Sequence, residues 1–427
     1  MPEAVARELD KRGLSTAFPI QAATLPTTLA GGDVLGRGRT GSGKTLAFGI
    51  PAVVRISESP TRREPMRPRA LVLAPTRELA NQILASVEPL GAALGLRTTV
   101  VYGGVRQGTQ VAALRKGVDV LVATPGRLED LISQGLCDLG AVEVTVLDEA
   151  DHMSDMGFLP AVKRLLDKTP RRGQRMLFSA TMDNDVDVLV RRYLHQPTTH
   201  SVDAVSAAPP AMTHHVLHVA STDKGAVVRE LASGHGRAVL FTRTKHAAKK
   251  LAKQLSAAGI PTVDLHGNLS QNARERNLAA FSSGDVRVLA ATDIAARGIH
   301  VDDVELVVHV DPPAEHKAYL HRSGRTARAG AAGSVVTLVT PDQKHDVARL
   351  VRLAKITPET LAVRAGSEEL RRLVGPEAPK AASVDPATRP NRVPTPQRGW
   401  DAQERRSDGG RNRSRRRGRG RGRSAAA

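Results

Sequence analysis

Short runs of β-branched and aliphatic residues recur along this chain, separated by longer stretches whose apolar positions fall at helical spacing. Ala70-Leu-Val-Leu-Ala74, Thr98-Thr-Val-Val101, Asp119-Val-Leu-Val122, Val144-Thr-Val-Leu147 and Met176-Leu-Phe178 read as strands, as does the short Asp33-Val34-Leu35. Strands alternating with helical patterns predict a parallel sheet covered by helices. The first such α/β domain is expected over residues 1–203. Ala204-Val-Ser-Ala-Ala-Pro-Pro-Ala211 has linker composition, which sets a linker over residues 204–212. The pattern then restarts with Val216-Leu-His-Val219, Ala238-Val-Leu-Phe241, Val286-Arg-Val-Leu-Ala290, Glu305-Leu-Val-Val-His309 and Val335-Val-Thr-Leu338. These predict a second α/β domain over residues 213–365. Residues 366–427 are expected to be a disordered basic tail, because the Arg/Gly repeat from Arg411 to Arg423 is low in complexity and too polar to fold alone.

Composition narrows the partners. The chain has 427 residues, a net charge of +19 and a single cysteine, Cys137. That charge points to a polyanion, either nucleic acid or an anionic membrane surface. Of it, a net +9 falls in residues 376–427, with fourteen Lys/Arg against five Asp/Glu. The tail has no amphipathic apolar face for a membrane surface, so its arginines fit either capture of nucleic acid by phosphate neutralisation or a merely solubilising tail. No run of 18 apolar residues is present. The N-terminus lacks the apolar core of a signal peptide, and one cysteine excludes an internal disulfide. Both fit a cytoplasmic location. Aromatics make up 2% of the chain, too few for a sheet of exposed stacking rings to be the main grip on nucleic acid.

Two motifs carry chemistry. In Gly38-Arg39-Thr40-Gly41-Ser42-Gly43-Lys44-Thr45 the glycines let successive N–H groups point at phosphate oxygens, and the helix that follows adds its positive end. Lys44 is placed to bridge the β- and γ-phosphates, and Thr45 to ligate Mg²⁺. Downstream, Asp148-Glu149-Ala150-Asp151 closes the strand Val144–Leu147. Asp148 there would hold Mg²⁺ largely through water, and Glu149 would orient and deprotonate an attacking water. Together the motifs predict hydrolysis of a nucleoside triphosphate. A third segment, His321-Arg322-Ser-Gly-Arg325-Thr-Ala-Arg328-Ala-Gly330, places two arginines three apart. They read either as a solvated basic turn or as groups aimed at the γ-phosphate.

With these residues in place, the chain resembles a bacterial DEAD-box ATP-dependent RNA helicase of superfamily 2, in order, over roughly residues 10 to 345. The resemblance implies two tandem RecA-like domains, ATP and Mg²⁺ as cofactors, and RNA bound through its backbone without reading sequence. It implies an RNA-dependent ATPase that unwinds short duplexes; an ATP-gated RNA clamp that unwinds little shares every motif. Phe18-Pro-Ile-Gln21 resembles the adenine-reading segment, with Gln21 as the amide. Pro75-Thr76-Arg77-Glu78-Leu79, Gly103-Gly104 and Thr124-Pro-Gly126-Arg127 resemble the RNA contacts of the first domain. Gly267, Gln271, Arg274 and Thr292 resemble those of the second. Ser179-Ala-Thr181, Asp151, Asp293, Arg297, His321 and Arg322 resemble the coupling residues between domains, and Arg325 and Arg328 become arginine fingers supplied in cis. The sequence departs from the family at His300, where an Asp associated with the ribose is usual, and at Ala327 and Asn268, in place of Gly and Asp. The family's adenine-stacking aromatic would fall before Met1, which implies weaker stacking.

Overall fold

The computed structural model describes residues 1–38, 41–182, 184–201, 212–296, 304–327 and 331–378. Seven parallel strands form the first sheet: β1 (Val34–Arg37), β2 (Ala70–Leu73), β3 (Thr98–Val101), β4 (Val120–Ala123), β5 (Val144–Leu147), β6 (Gln174–Ser179) and β7 (Thr198–Ser201). Seven more form the second: β8 (Met212–His218), β9 (Arg237–Phe241), β10 (Thr262–Leu265), β11 (Val288–Ala291), β12 (Val304–His309), β13 (Gly333–Val339) and β14 (Glu359–Ala362). The spatial orders are β3-β4-β2-β5-β6-β1-β7 and β10-β11-β9-β12-β13-β8-β14. Counted from its own first strand, the second sheet repeats the order of the first, so the two α/β domains are one topology used twice.

Side-chain alternation explains why the central strands read as unbroken apolar runs. Leu71 and Leu73 of β2 face one core, packed with Leu121, Leu147 and Leu177, while Ala70 and Val72 face the other, with Phe48, Ile83 and Val122. Helices cover both faces, so every position of such a strand is buried. The second sheet is built the same way: Leu240 and Val308 lie on one side, Val239, Phe241 and Phe281 on the other.

In such sheets the loops after the C-terminal strand ends form the binding edge. After β1 the chain enters the glycine loop and then the helix Lys44–Glu58. The equivalent loop after β8, Val219-Ala-Ser-Thr-Asp223, has no glycine. One phosphate loop therefore serves two domains.

Two boundaries differ from expectation. Strand β8 already begins at Met212, which was assigned to the linker. The second domain also runs past residue 365: the helix Glu368–Val374 buries Leu370 against Val227, Val228 and Leu231, and Ala378 N–H donates to Ser233 O at 2.9 Å. One leucine with partly buried Leu373 and Val374 is a weak sequence signal beside a strongly charged tail. Residues 202–211 and 379–427 lie outside the described residues, so the linker and tail assignments rest on sequence alone.

Candidate active site

The glycine loop follows β1 and the acidic motif follows β5, the two strands that flank β6 in the sheet. Gly38 N–H donates to Ser179 O at 3.2 Å, anchoring the loop to β6. The buried Lys44 Nζ donates to Gly38 O at 2.8 Å, folding the ammonium back across the loop. Gly43, with φ +88°, cannot become alanine: a Cβ there would lie 2.6 Å from Gln21 Nε2 and 3.0 Å from Phe18 Cβ. Gln21 is held against this loop, its Nε2 donating to Gly43 O at 2.9 Å and its Oε1 accepting from Phe18 N at 2.9 Å. Phe18 itself is half exposed beside it. Ser42 Oγ is buried without a hydrogen-bond partner, and Thr45 is half-buried at the start of the helix. Arg39 and Thr40 lie outside the described residues.

Asp148 and Glu149 are neighbours with opposite electrostatics. Burial pushes the Asp148 carboxyl up to about 7; Lys44 opposes this and the Glu149 charge adds to it. Burial would also raise Glu149, but the hydrogen bond and charge of His152, with Lys44 and Arg325, outweigh it and hold Glu149 well below the usual carboxylate range. Glu149 is one of few non-glycine residues in the left-handed region, with φ 50° and ψ 54°. Strain of this kind persists where surrounding contacts enforce it, and it turns the carboxylate out of the strand line.

The donor set suits Mg²⁺. The Asp148 carboxylate is buried to 3% exposure, and its desolvation outweighs the opposing charge of Lys44, an environment that favours a divalent cation. Among the described residues no cluster of three or more His, Cys, Asp or Glu could hold a metal by itself. Mg²⁺ takes one or two carboxylates together with phosphate oxygens and water, and Asp148 with the Thr45 hydroxyl would be this chain's share.

Asp151 belongs to an internal network. Its Oδ2 accepts from Thr181 N and Oγ1, both at 2.9 Å, its Oδ1 accepts from His152 N at 3.0 Å, and Asp151 N donates to Ser179 Oγ at 3.3 Å. The acidic motif is thus tied to Ser179 and Thr181 inside the first domain. Asp293 and Arg322, assigned to coupling between the domains, pair with each other inside the second. Arg322 holds both oxygens of Asp293, donates to Asp311 O at 2.7 Å and lies over the Phe241 ring at 5.1 Å. An Arg–Asp pair between the helices Asp293–Ala296 and His316–Ser323 satisfies both charges locally, and it braces the segment that carries Arg325.

Arg325 is the contribution of the second domain. Burial lowers its guanidinium pKa and the Glu149 charge raises it, so a cation from one domain acts on a buried carboxylate of the other. Its Nε also donates to His321 O at 3.1 Å. His321 Nδ1 lies 3.5 Å from Asp155 Oδ2 of the first domain, so of the coupling residues it does cross the cleft. Arg297, His300 and Arg328 lie outside the described residues.

The residues expected to touch RNA occupy equivalent strand ends in the two sheets. Pro75 and Thr76 follow β2, Gly104 follows β3, and Thr124 and Arg127 follow β4; Gly267 follows β10 and Thr292 follows β11. Thr76 Oγ1 caps the helix Arg77–Ala93, accepting from Leu79 N at 3.2 Å. Gly104, at φ +79°, leaves room for Arg77, whose Nη1 would lie 2.1 Å from a Cβ. Arg127 donates to Gln110 Oε1 and Val105 O, each at 3.3 Å. Gln271 and Arg274 sit at the joint between domains: Arg77 Nη1 donates to Gln271 Oε1 at 3.2 Å, and Arg274 Nε to Glu78 Oε1 at 2.8 Å. From the sequence, Glu78 is named only within a segment resembling RNA contacts, and His152 and Asp155 are not named. Each was legible as a polar residue near a helix start or end, but none by spacing.

Known proteins agree with this arrangement. The DEAD/DEAH box helicase model matches residues 18–189, and the helicase conserved C-terminal domain model matches residues 223–330. The chain belongs to the DEAD-box helicase family. It is 42% identical over 362 residues to DEAD-box ATP-dependent RNA helicase 3A, chloroplastic, of Zea mays, covering 82% of this chain and 48% of that protein. It is 38% identical over 372 residues to the ATP-dependent RNA helicase RhlB of Xanthomonas oryzae, covering 84% and 65%. Against the curated relatives, then, this DEAD-box chain spans about half to two thirds of their length. Among solved structures, Saccharomyces cerevisiae Dbp5 bound to RNA and ADP BeF3 superposes with a TM-score of 0.75 at 26% identity, covering 88% of this chain and 98% of that one. Both domains of this DEAD-box protein are accordingly RecA-like.

Proposed function

We propose that this chain is an RNA-stimulated ATPase that uses ATP hydrolysis to separate short RNA duplexes. One observation carries the reading: the second-domain segment that carries Arg325 meets the helix after the acidic motif, His321 Nδ1 lying 3.5 Å from Asp155 Oδ2, and the Arg325 charge helps to lower the Glu149 pKa. The nucleotide site is complete only when the domains meet. The strand ends expected to hold RNA meet at the same joint, through Arg77–Gln271 and Glu78–Arg274. Closure by either ligand then favours the other, and the coupling is reciprocal. The relatives named ATP-dependent RNA helicases, and the Dbp5 structure with RNA and ADP BeF3, support RNA as the polyanion.

The chain's own residues supply these steps. The glycine loop and Lys44 bind and orient the phosphates. Glu149, kept ionised by His152, Lys44 and Arg325, takes the proton of the attacking water. Arg325 stabilises charge that develops as the γ-phosphoryl group departs. Asp148 and Thr45 would hold Mg²⁺, which would supply positive charge to the bound phosphates. Loops at strand ends offer N–H, hydroxyl and guanidinium donors to the RNA backbone, which grips a strand without reading its bases.

Strand separation of a short RNA duplex tests this. ATP should release the labelled strand, and a non-hydrolysable analogue should bind RNA without sustained turnover. ATP hydrolysis with no strand release would make the protein an RNA clamp.

A further inference from the structure

His152 has entered so far only as a charge that lowers the Glu149 pKa, yet its hydrogen bond also fixes the direction of that carboxylate. Its Nδ1 lies 2.9 Å from Glu149 Oε2, with both side chains at or below 10% exposure. A carboxylate oxygen can only accept, so Nδ1 carries the proton and donates. One carboxylate oxygen is thereby occupied, and Oε1 is left for a water. The imidazole is itself fixed at its backbone, His152 N donating to Asp151 Oδ1 at 3.0 Å, which connects it to Thr181. Its other nitrogen, Nε2, is buried with no hydrogen-bond partner among the described residues. That arrangement has no packing advantage; an apolar ring would fill the space without an unsatisfied polar atom.

The ring also stands at the cleft. Its centroid is 6.1 Å from that of His321 in the second domain, and the turn of helix after it carries Asp155, which faces His321 at 3.5 Å and Lys317 at 3.9 Å. The helix Ala150–Asp155 therefore meets the helix His316–Ser323 along the edge that also presents Arg325.

We infer that His152 is a positioning residue for ATP hydrolysis, aiming the Glu149 carboxylate through its Nδ1 hydrogen bond at the cleft where the two domains meet. This rests on the ATPase reading above, and the two fail differently: an inactive wild-type protein removes the function, an unaffected variant removes the positioning role.

The test compares His152→Phe, which keeps a flat ring and loses the donor, with His152→Asn, whose amide nitrogen falls where Nδ1 lies. With saturating single-stranded RNA, His152→Phe should lower kcat about tenfold and leave KM for ATP within about twofold. His152→Asn should regain most of the rate, and melting temperatures should confirm that both variants are folded. Wild-type kcat in the Phe variant would overturn the proposal, as would a loss confined to KM. Equal loss in both folded variants would also overturn it, since it would show that ring volume, not the donated hydrogen bond, matters.

Discussion

The Glu78–Arg274 pair offers a quantitative test of how the domains join. The two side chains lie 2.8 Å apart with 7% and 10% exposure, come from different domains, and are 196 residues apart in sequence. Removing one partner of a buried pair costs about 3–5 kcal/mol when the other charge stays buried. Here the joint can reopen and return the lone charge to water, which limits the cost to about 2–3 kcal/mol of the closed state. That corresponds to RNA binding about 30- to 150-fold weaker in the presence of a non-hydrolysable ATP analogue. Fluorescence anisotropy of a labelled RNA strand, with and without the analogue, measures it for Glu78→Ala, Arg274→Ala and the double variant. The cycle should give a coupling energy of about 1.5 kcal/mol or more, because the second substitution removes a charge already unpaired. Additivity within about 0.5 kcal/mol would refute the reasoning. So would an equal loss without nucleotide, which would mean Arg274 contacts RNA directly.

Other predictions follow from single groups. Glu149→Gln keeps shape and loses the base, so ATP turnover should fall at least about 100-fold while ATP and RNA still bind; preserved turnover in a phosphate-release assay contradicts the role. Residues 379–427 carry fourteen Lys/Arg against four Asp/Glu, and deleting them should lower the salt dependence of RNA binding by about 3 in log–log slope, for four phosphate contacts at about 0.7 each. An unchanged slope assigns the tail elsewhere. His309 is fully buried, and burial, with Arg322 and His214 nearby, holds its pKa well below 6.5. The unfolded chain then binds a proton that the fold does not, so stability is present above pH 6.5 and lost as pH falls below it, by up to about 1.4 kcal/mol per unit. Denaturation at pH 7 and 5.5 should show a smaller difference for His309→Gln than for the wild type; equal differences refute this.

Much of the fold was legible because the central strands are buried on both faces and leave continuous apolar runs, as in Ala70–Leu73 and Val144–Leu147. The strands that escaped notice lie at sheet edges. Thr198–Ser201 and Glu359–Ala362 are mostly exposed, and Val263 and Asp264 of β10 are half-buried, so no apolar run marks them. In the site, the phosphate loop and the acidic motif were readable because their chemistry is local: glycine, lysine and carboxylate act within a few residues. Partnerships were not. Arg274 on Glu78, His152 on Glu149 and His321 near Asp155 depend on how helices approach, which sequence spacing does not encode. Asp293 and Arg322 illustrate the same limit, since each could have faced the cleft but satisfies the other.

The central claim is that one nucleotide site is completed by two domains that close on RNA. Steady-state ATP hydrolysis, titrated with single-stranded RNA and with DNA of the same sequence, tests it most directly. Hydrolysis should rise severalfold or more with RNA and saturate, with little response to DNA, and Arg325→Ala should abolish the rise while leaving ATP binding. A rate that RNA does not change, or one that DNA raises equally, would contradict it.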